Sequence, residues 1–433
     1  MTNSTQSPGH AAGQTSGHSA GQTSGPLDGI RILDLTWVLA GPYAAMILCD
    51  LGAEVVKVER PPHGDVARTT GPFVNNESMY FQSVNRGKKS ISIDLRSSEG
   101  RDLFLRLVDE ADVVMENFTP GVMDKLGIGP DALLKRNPRL VFASTSGFGQ
   151  TGPWRDRPAL DIIVQGMGGV MSITGYPDEP PARPGTSIGD ICGGLYTAVG
   201  ILAALRERER SGQGQSVDIS MLDCQIAILE NAVARYYATG EEPGPLGTRH
   251  PSATPFQAFP TADGWIVVAL SWGIATQWEI FCAELGLPEL VGDERFDTSF
   301  KRTENHAELE PLLFEATRTR STDHWVSTLA AYGIPIGPLN TIGQAVQQEQ
   351  IAAREMITTV QHPVAGEVTM AASPLKLSRT PGRVYGYGPQ FGQDTVDVLN
   401  EWLGVAPEET RQLAETGVVL TEGGPDIAAY LSA

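Results

Sequence analysis

The sequence is poor in the residues that build metal sites and disulfide frameworks. Among its 433 residues it has four cysteines, with no Cys-x-x-Cys pair, and seven scattered histidines. This spacing indicates neither a disulfide framework nor a zinc site. We therefore expect a protein of the reducing cytoplasm that binds no metal.

Positive charge is also scarce: the 32 Lys and Arg residues are outnumbered by 51 Asp and Glu residues, which gives a formal net charge of -19 at pH 7. Nucleic acid and anionic membrane surfaces would repel such a chain at long range, so neither is expected as a partner. We find no secretory signal pattern and predict no apolar run long enough to span a bilayer. An anionic ligand would need a local cluster of cations.

The first residues lack the apolar side chains needed for a core. Residues 9–24 contain a near-duplication rich in Gly, Ser, Thr and Gln. Such a composition cannot bury enough apolar surface to offset chain entropy. We predict that residues 1–25 are a disordered tail without a catalytic role.

Strand and helix patterns alternate in the first half of the chain. Segment 30–35 is typical of a short buried strand, 41–50 opens with Gly-Pro as a helix does, and 55–59 is again strand-like. A strand-helix-strand unit indicates parallel strands. The predicted fold class is therefore α/β, with a large Rossmann-like parallel sheet.

A chain of 433 residues exceeds what one core usually supports, so we expect two domains. Glycine and proline punctuate 241–247, and strand patterns then flank an Asp263-Gly264 hairpin signal. The large domain should be built from both chain ends, and the smaller one should be α+β. The predicted segments are 26–222 for the first part of the large domain, 223–248 for a linker, 249–343 for the small domain and 344–433 for a linker and the return.

A dinucleotide fingerprint is missing where the fold would need it. The first strand-helix turn, residues 38–42, has no G-x-G-x-x-G sequence. Residues 147–152 match it formally, but the Pro-rich segment 153–158 that follows cannot open the required helix directly. A glycine-rich ligand loop and a plain surface turn both remain open interpretations.

One acidic residue stands between glycines just before a long apolar run. Asp190 lies in the segment 187–194, and we predict that it caps a helix whose dipole keeps it ionised. Capping alone is the simpler interpretation. The glycines at 189, 193 and 194 also favour a second one, in which backbone approaches a ligand closely. Asp190 would then be a nucleophile beside a possible oxyanion hole.

Cationic residues recur at the ends of the predicted first-domain elements. Ligands of α/β sheets bind beyond the carboxyl ends of the strands, so several of these cations can converge on a phosphate-bearing ligand. For each residue taken singly, solvated surface charge is the alternative. The set comprises Arg60, Lys88, Lys89, Arg96, Lys125, Arg155 and Arg157.

Several motifs together resemble the family III CoA-transferases, which include formyl-CoA:oxalate transferases, carnitine CoA-transferase and the related 2-methylacyl-CoA racemases. The resemblance covers nearly everything after residue 25, and it implies an interlocked homodimer. The matching segments are 26–34, 50–59, 116–121, 147–152, 161–175 and Gly189-Asp190.

The resemblance implies that Asp190 is the nucleophile and that CoA and acyl-CoA are substrates, with no cofactor bound permanently. Arg96 and Lys125 stand where the formyl transferase has Lys and Arg, so the charge is kept but bidentate geometry is not assured. The CoA contacts it implies are Val38, Ala40, Arg60, Ile93, Arg96, Asn117, Phe118 and Lys125.

A carboxylate nucleophile suits CoA transfer between acids, because covalent intermediates keep the thioester energy. Asp190 would form a mixed anhydride and then an aspartyl-CoA thioester. Oxyanion contacts are expected from Gly149, Gln150 and Gly189 or their neighbours.

Two alternative functions remain. The first is a racemase, which needs an acid-base pair; the residue before Asp161 is Leu160, where racemases have histidine. The second is a non-catalytic CoA-binding protein, which would tolerate loss of Asp190.

Substrate identity rests on segments 68–73, 83–90 and 247–264, which look most like family members that use succinyl-CoA and dicarboxylic acids. We predict a dicarboxylate substrate. A cation should hold its distal carboxylate, and Arg68 and Arg249 are the candidates.

Overall fold

The computed structural model describes residues 25–271 and 273–427, so residues 1–24 of the predicted tail lie outside the described part. The strands are β1 (Arg31–Asp34), β2 (Glu54–Glu59), β3 (Phe73–Val74), β4 (Glu77–Ser78), β5 (Lys89–Ile93), β6 (Val113–Glu116), β7 (Val141–Ser146), β8 (Gln215–Ser220), β9 (Phe256–Pro260), β10 (Trp265–Ala269), β11 (Ile336–Pro338), β12 (Ile357–His362), β13 (Gly366–Ala371) and β14 (Val419–Leu420). The helices are α1 (Ala40–Asp50), α2 (Met79–Asn85), α3 (Ser98–Glu110), α4 (Val122–Lys125), α5 (Pro130–Arg136), α6 (Asp161–Met167), α7 (Ile188–Ser211), α8 (Met221–Ile228), α9 (Glu230–Thr239), α10 (Ala275–Leu285), α11 (Ser299–Glu304), α12 (His306–Thr317), α13 (Thr322–Ala331), α14 (Ile342–Val346), α15 (Glu349–Ala353), α16 (Thr395–Leu403) and α17 (Pro407–Glu415).

Seven strands form the large sheet, in the order β14-β5-β2-β1-β6-β7-β8. All neighbours are parallel except β14, which pairs antiparallel with β5. The six parallel strands therefore follow the doubly wound order, with a switch point between β1 and β6. The predicted α/β class with a Rossmann-like parallel sheet is confirmed.

Alternating side chains of the central strands fill two separate cores. In β1, Ile32 packs with α1 and α7 on one face, while Leu33 packs with α3 and α16 on the other. Both residues are fully buried. A parallel sheet covered on both faces needs such continuous apolar strands. This layering leaves the carboxyl edge of the sheet for a site.

Helix α7 is the longest in the described part, and it meets the length and hydropathy criteria of a membrane span. The prediction that the sequence holds no such run was therefore wrong. Half of its most apolar window is buried in the molecule. Ala198 and Ile201 pack against α1 in the large core, so this apolar composition has a packing explanation.

The second half of the chain builds smaller units. Strands β9, β10 and β11 form an antiparallel sheet whose core includes Phe281, Leu309 and Trp325 from α10, α12 and α13. The turn between β9 and β10 contains Asp263-Gly264. Strands β12 and β13 form a separate hairpin, and the chain then reaches the large sheet through α16 and β14.

Candidate active site

A cavity of about 660 Å³ opens at the carboxyl edge of the large sheet, at the switch point. The ends of β2 and β5 and the loops after β1 and β6 form its walls. Three cationic side chains of the lining, Arg60, Arg96 and Lys125, are exposed and accessible to an anionic ligand, whereas Lys57 is buried. Five predicted CoA contacts line the cavity: Arg60, Ile93, Arg96, Phe118 and Lys125.

The other three predicted CoA contacts lie in or next to the loop between β1 and α1. The Asn117 side chain makes two hydrogen bonds to the Trp37 backbone: it accepts the N–H at 2.9 Å and donates to the carbonyl at 2.9 Å. Val38 has left-handed backbone, with φ of 64°. Ala40 is the first residue of α1 and is buried. Trp37 itself lines the cavity and packs edge-on against Phe118.

Asp190 is not the cap of α7, contrary to the prediction from the sequence. The helix begins at Ile188 after Ser187, and Asp190 is its third residue. Asp161, the first residue of α6, supplies the capping carboxylate instead. Its Oδ1 accepts the N–H of Gly189 at 2.8 Å and that of Asp190 at 3.3 Å. A side chain from another helix thus meets donors that α7 cannot satisfy itself.

The Asp161 carboxylate accepts the Asp190 N–H, and its negative charge affects the pKa of the Asp190 side chain. Burial, followed by the negative charge of Asp161, raises the pKa of Asp190 to about 7. The helix dipole therefore does not keep Asp190 strongly acidic, as the sequence had suggested. Gln165 donates to the second Asp161 oxygen at 2.6 Å, and Arg183 lies 3.9 Å from it. Asp190 is poised to be partly ionised near neutral pH.

Tyr80 is a neighbour of this pair that sequence reasoning missed. Its pKa is raised to about 12, first by burial and then by the charges of Asp190, Asp65 and Asp161. The phenol therefore stays protonated and can donate a hydrogen bond. The Asp65 carboxylate, which lines the large cavity, and the Asp190 carboxylate, in the first turn of α7, thus both act electrostatically on the Tyr80 phenol. No motif in the sequence around residue 80 signals this role.

The glycines of α7 serve packing rather than ligand approach. A Cβ on Gly194 would lie 2.6 Å from the carbonyl oxygen of Ala40, and one on Gly189 would lie 2.8 Å from Val164. Gly193 is buried as well. The prediction that this turn is open to a large ligand through its backbone was wrong, because α1 and α6 occupy the space.

The backbone N–H groups predicted as oxyanion donors already have acceptors. Gly149 donates to the Ser146 hydroxyl at 3.0 Å, Gln150 donates to the Asp218 carboxylate at 3.0 Å, and Gly189 donates to Asp161. Within residues 25–271 and 273–427, however, the buried Nε2 of Gln150 has no hydrogen-bond partner. The side chain of Gln150 is therefore a better donor candidate than the three backbone groups.

Of the seven cations singled out from the sequence, three line the cavity and four have other contacts. The Lys88 ammonium is fully buried and lies 2.8 Å from Asp34. Lys89 pairs with Glu54 and Glu401 at the sheet edge. The remaining two contact residues of their own loop, Arg155 with Asp156 and Arg157 with Trp154.

The two arginines proposed for a distal carboxylate differ in their surroundings. Arg68 is buried, forms a bidentate pair with Glu59 at 2.7 and 2.9 Å, and donates to Pro389. These contacts argue against a role in binding substrate. Arg249 is half-buried, lines a separate cavity of about 290 Å³, and lies 3.0 Å from the Nδ1 of His306.

Together, the doubly wound sheet, the cation-rimmed cavity and the carboxylate at the start of α7 define an α/β enzyme that acts on anionic substrates. The sequence profile of CoA-transferase family III matches residues 27–395, and the chain belongs to that family. It is an enzyme that transfers CoA between an acyl-CoA and a carboxylic acid. The predicted family, reaction class and use of CoA thioesters as substrates are thereby confirmed.

Individual relatives agree with this assignment. The acetyl-CoA:oxalate CoA-transferase of Acetobacter aceti is 44% identical over 82% of this chain and 89% of that protein. The succinyl-CoA:glutarate CoA-transferase of Mus musculus is 38% identical over 91% of this chain and 90% of that protein. The crystal structure of a CaiB/BaiF family protein from Brucella suis covers 88% of this chain and 100% of its own, with 39% identity and a TM-score of 0.79.

Proposed function

We propose that the enzyme transfers CoA from succinyl-CoA to a dicarboxylic acid, with Asp190 as the nucleophile. The observation that carries the proposal is the half-buried Asp190 carboxyl, backed by Asp161 and with a pKa raised to about 7. A carboxylate poorly stabilised by its surroundings is more reactive toward a carbonyl than a solvated one. Relatives named for succinyl-CoA with glutarate or mesaconate support the choice of substrates.

The proposed reaction proceeds in four acyl transfers. The Asp190 carboxylate attacks the thioester carbonyl, the C–S bond breaks, and CoA leaves as a thiolate. The thiolate then attacks the Asp190 carbonyl of the mixed anhydride, which releases succinate and leaves an aspartyl-CoA thioester. The acceptor carboxylate attacks this thioester and expels CoA again. Attack of that thiolate on the acceptor's carbonyl gives the new acyl-CoA and restores Asp190.

The large cavity is the proposed CoA site. Arg60, Arg96 and Lys125 are placed to contact the phosphates, because they are the exposed cations around it. Ile93 and Phe118 give it an apolar wall suited to a flat base. Exclusion of water from the anhydride would prevent hydrolysis and keep the thioester energy for transfer.

A homodimer belongs to the same proposal. Large apolar side chains remain exposed on the face around α6, α7 and α9, including Leu160 at 72%, Val199 at 61% and Tyr237 at 82%. Exposed apolar surface of this kind marks interfaces. A second copy that covers it would also bring groups of another chain near Asp190. Four buried, free cysteines fit the cytoplasm as the proposed compartment.

The decisive experiment follows the covalent adduct. The enzyme is incubated with succinyl-CoA and a panel of dicarboxylic and monocarboxylic acids, and peptide masses are recorded before and after hydroxylamine treatment. We expect CoA or acyl mass on the peptide that contains Asp190, and no adduct in Asp190→Ala. Full exchange activity of Asp190→Ala would refute the nucleophile, whereas transfer to monocarboxylates alone would refute the dicarboxylate assignment.

A further inference from the structure

The loop between β1 and α1 contains a residue in an unfavourable backbone conformation. Val38 has a φ of 64°, in the left-handed region, although its side chain is branched at Cβ. Valine rarely adopts this conformation, and it persists only where the surrounding structure imposes it. Something next to Val38 must therefore hold it there.

Three consecutive residues of this loop are hydrogen-bonded by side chains from other segments. The Thr36 carbonyl accepts from Lys57 Nζ at 2.5 Å, and the Val38 N–H donates to Asp65 Oδ1 at 3.0 Å. Between them, both backbone groups of Trp37 are hydrogen-bonded to the Asn117 side chain. The loop is thus fixed from β2, from the loop after β2 and from the loop after β6.

Lys57 and Asp65 form a buried ion pair beneath the loop. Their charged groups are 2.9 Å apart, and each side chain is only 1% exposed. Asp65 Oδ1 also accepts the Ala67 N–H at 2.9 Å, and the Asp65 N–H donates to Glu59 at 3.0 Å. The carboxylate that holds Val38 is therefore itself fixed on several sides.

A buried ion pair is a weak source of stability, because desolvation of both charges offsets their attraction. Its location suggests another role here. Thr36, Trp37, Lys57 and Asp65 all line the large cavity. The pair thus contacts both the cavity and the strained residue at its margin.

We propose that Asp65, held by Lys57, is a positioning residue that keeps the loop from Thr36 to Val38 in the shape that receives acyl-CoA. This inference rests on the proposed placement of CoA in the large cavity. Without the Asp65 acceptor, Val38 relaxes to negative φ and moves the cavity wall, so the acyl-CoA is bound less tightly. Asp65 acts through the loop and touches no reacting atom.

The test replaces the ion pair and then removes the strain. In K57M/D65A no unpaired buried charge is left, and we expect the KM for acyl-CoA to rise about tenfold while kcat changes by less than about threefold. Adding V38G should restore most of the KM, since glycine adopts positive φ without strain. Adding V38A should not, because alanine keeps a Cβ.

Control variants separate this idea from a general structural effect. Asp263 accepts the Thr322 N–H at 2.8 Å on the small domain, so D263A removes a comparable acceptor and should leave KM unchanged. If K57M/D65A does not fold, D65N replaces it, with a smaller rise in KM that V38G again reverses. A folded variant with unchanged KM, or a raised KM that V38G does not lower, would overturn the proposal.

Failure of the CoA placement has a different signature. R96A and K125A remove cations from the cavity without touching the loop. If both leave the KM for acyl-CoA unchanged, CoA does not bind there, and the proposal on the loop is overturned with it. If both raise it while K57M/D65A does not, only the positioning role is wrong.

Discussion

Replacing Asp161 with asparagine removes the negative charge behind Asp190 while keeping an oxygen that can accept the N–H groups of Gly189 and Asp190. Burial is the first cause of the raised Asp190 pKa and the Asp161 charge is the second. In Asp161→Asn we therefore expect this pKa to fall below about 7 but to stay above its ordinary value of 3.8.

The effect appears in the acid limb of the pH profile. At pH 6, one unit below the wild-type pKa of about 7, roughly one Asp190 in ten is ionised and in the form that the proposed attack on the thioester requires. A variant with its pKa lowered by about one unit would have half of it ionised, a relative gain of about fivefold at pH 6. At pH 8 the less basic carboxylate should attack more slowly.

The assay is kcat/KM for the acyl-CoA between pH 5 and 8.5, with acceptor saturating. Asp161→Ala is the comparison, because it removes the acceptor as well as the charge and should also loosen the start of α7. An apparent pKa in Asp161→Asn equal to or above that of the wild type would refute the electrostatic reasoning. It would mean that Asp161 acts on Asp190 only through hydrogen bonds.

Three further outcomes test other parts of the structure. Asp190→Asn should raise the free energy of unfolding by up to about 4 kcal/mol at pH 8, because ionising a group with a raised pKa opposes folding. This gain should shrink as the pH falls from 7 toward 4, which urea unfolding at each pH will measure. Gly194→Ala should cost about 1–3 kcal/mol in the same unfolding assay because its Cβ meets the Ala40 carbonyl, whereas Gly343→Ala, on open helix surface, should not. Arg96→Ala should raise the KM for acyl-CoA about tenfold, less so at high salt.

Regular apolar patterns allowed the sequence to predict much of the fold. The predicted strand-helix-strand unit at 30–35, 41–50 and 55–59 is β1, α1 and β2, and the Asp-Gly hairpin lies between β9 and β10. Strand β5 was missed because Ser90 and Ser92 alternate with its apolar residues. Both serines are buried, and Ser90 donates to Glu59 at 2.7 Å. A strand that carries a polar network does not have the apolar run that identifies its neighbours.

Much less of the site could be predicted, because its contacts join distant parts of the chain. The cations of the cavity could be proposed from their positions at the ends of predicted elements. Asp161 and Asp190 are both visible as helix-start residues, but only the packing of α6 against α7 brings one carboxylate to the other's backbone. The charges of both carboxylates also act on Tyr80 of α2, and nothing in its local sequence signals this.

The pKa of Asp190 is raised although the helix dipole alone would lower it, and the size of each effect explains why. A helix dipole stabilises an anion in the first turn by about 0.3–1 kcal/mol, which is less than one pKa unit. Burial with a second carboxylate moves the pKa from 3.8 to about 7, several times that amount and in the other direction. Asp161 also occupies N–H groups at the helix start that would otherwise favour the Asp190 anion. If Asp190 is the nucleophile, as proposed, its reactivity comes from how little its own helix stabilises the carboxylate.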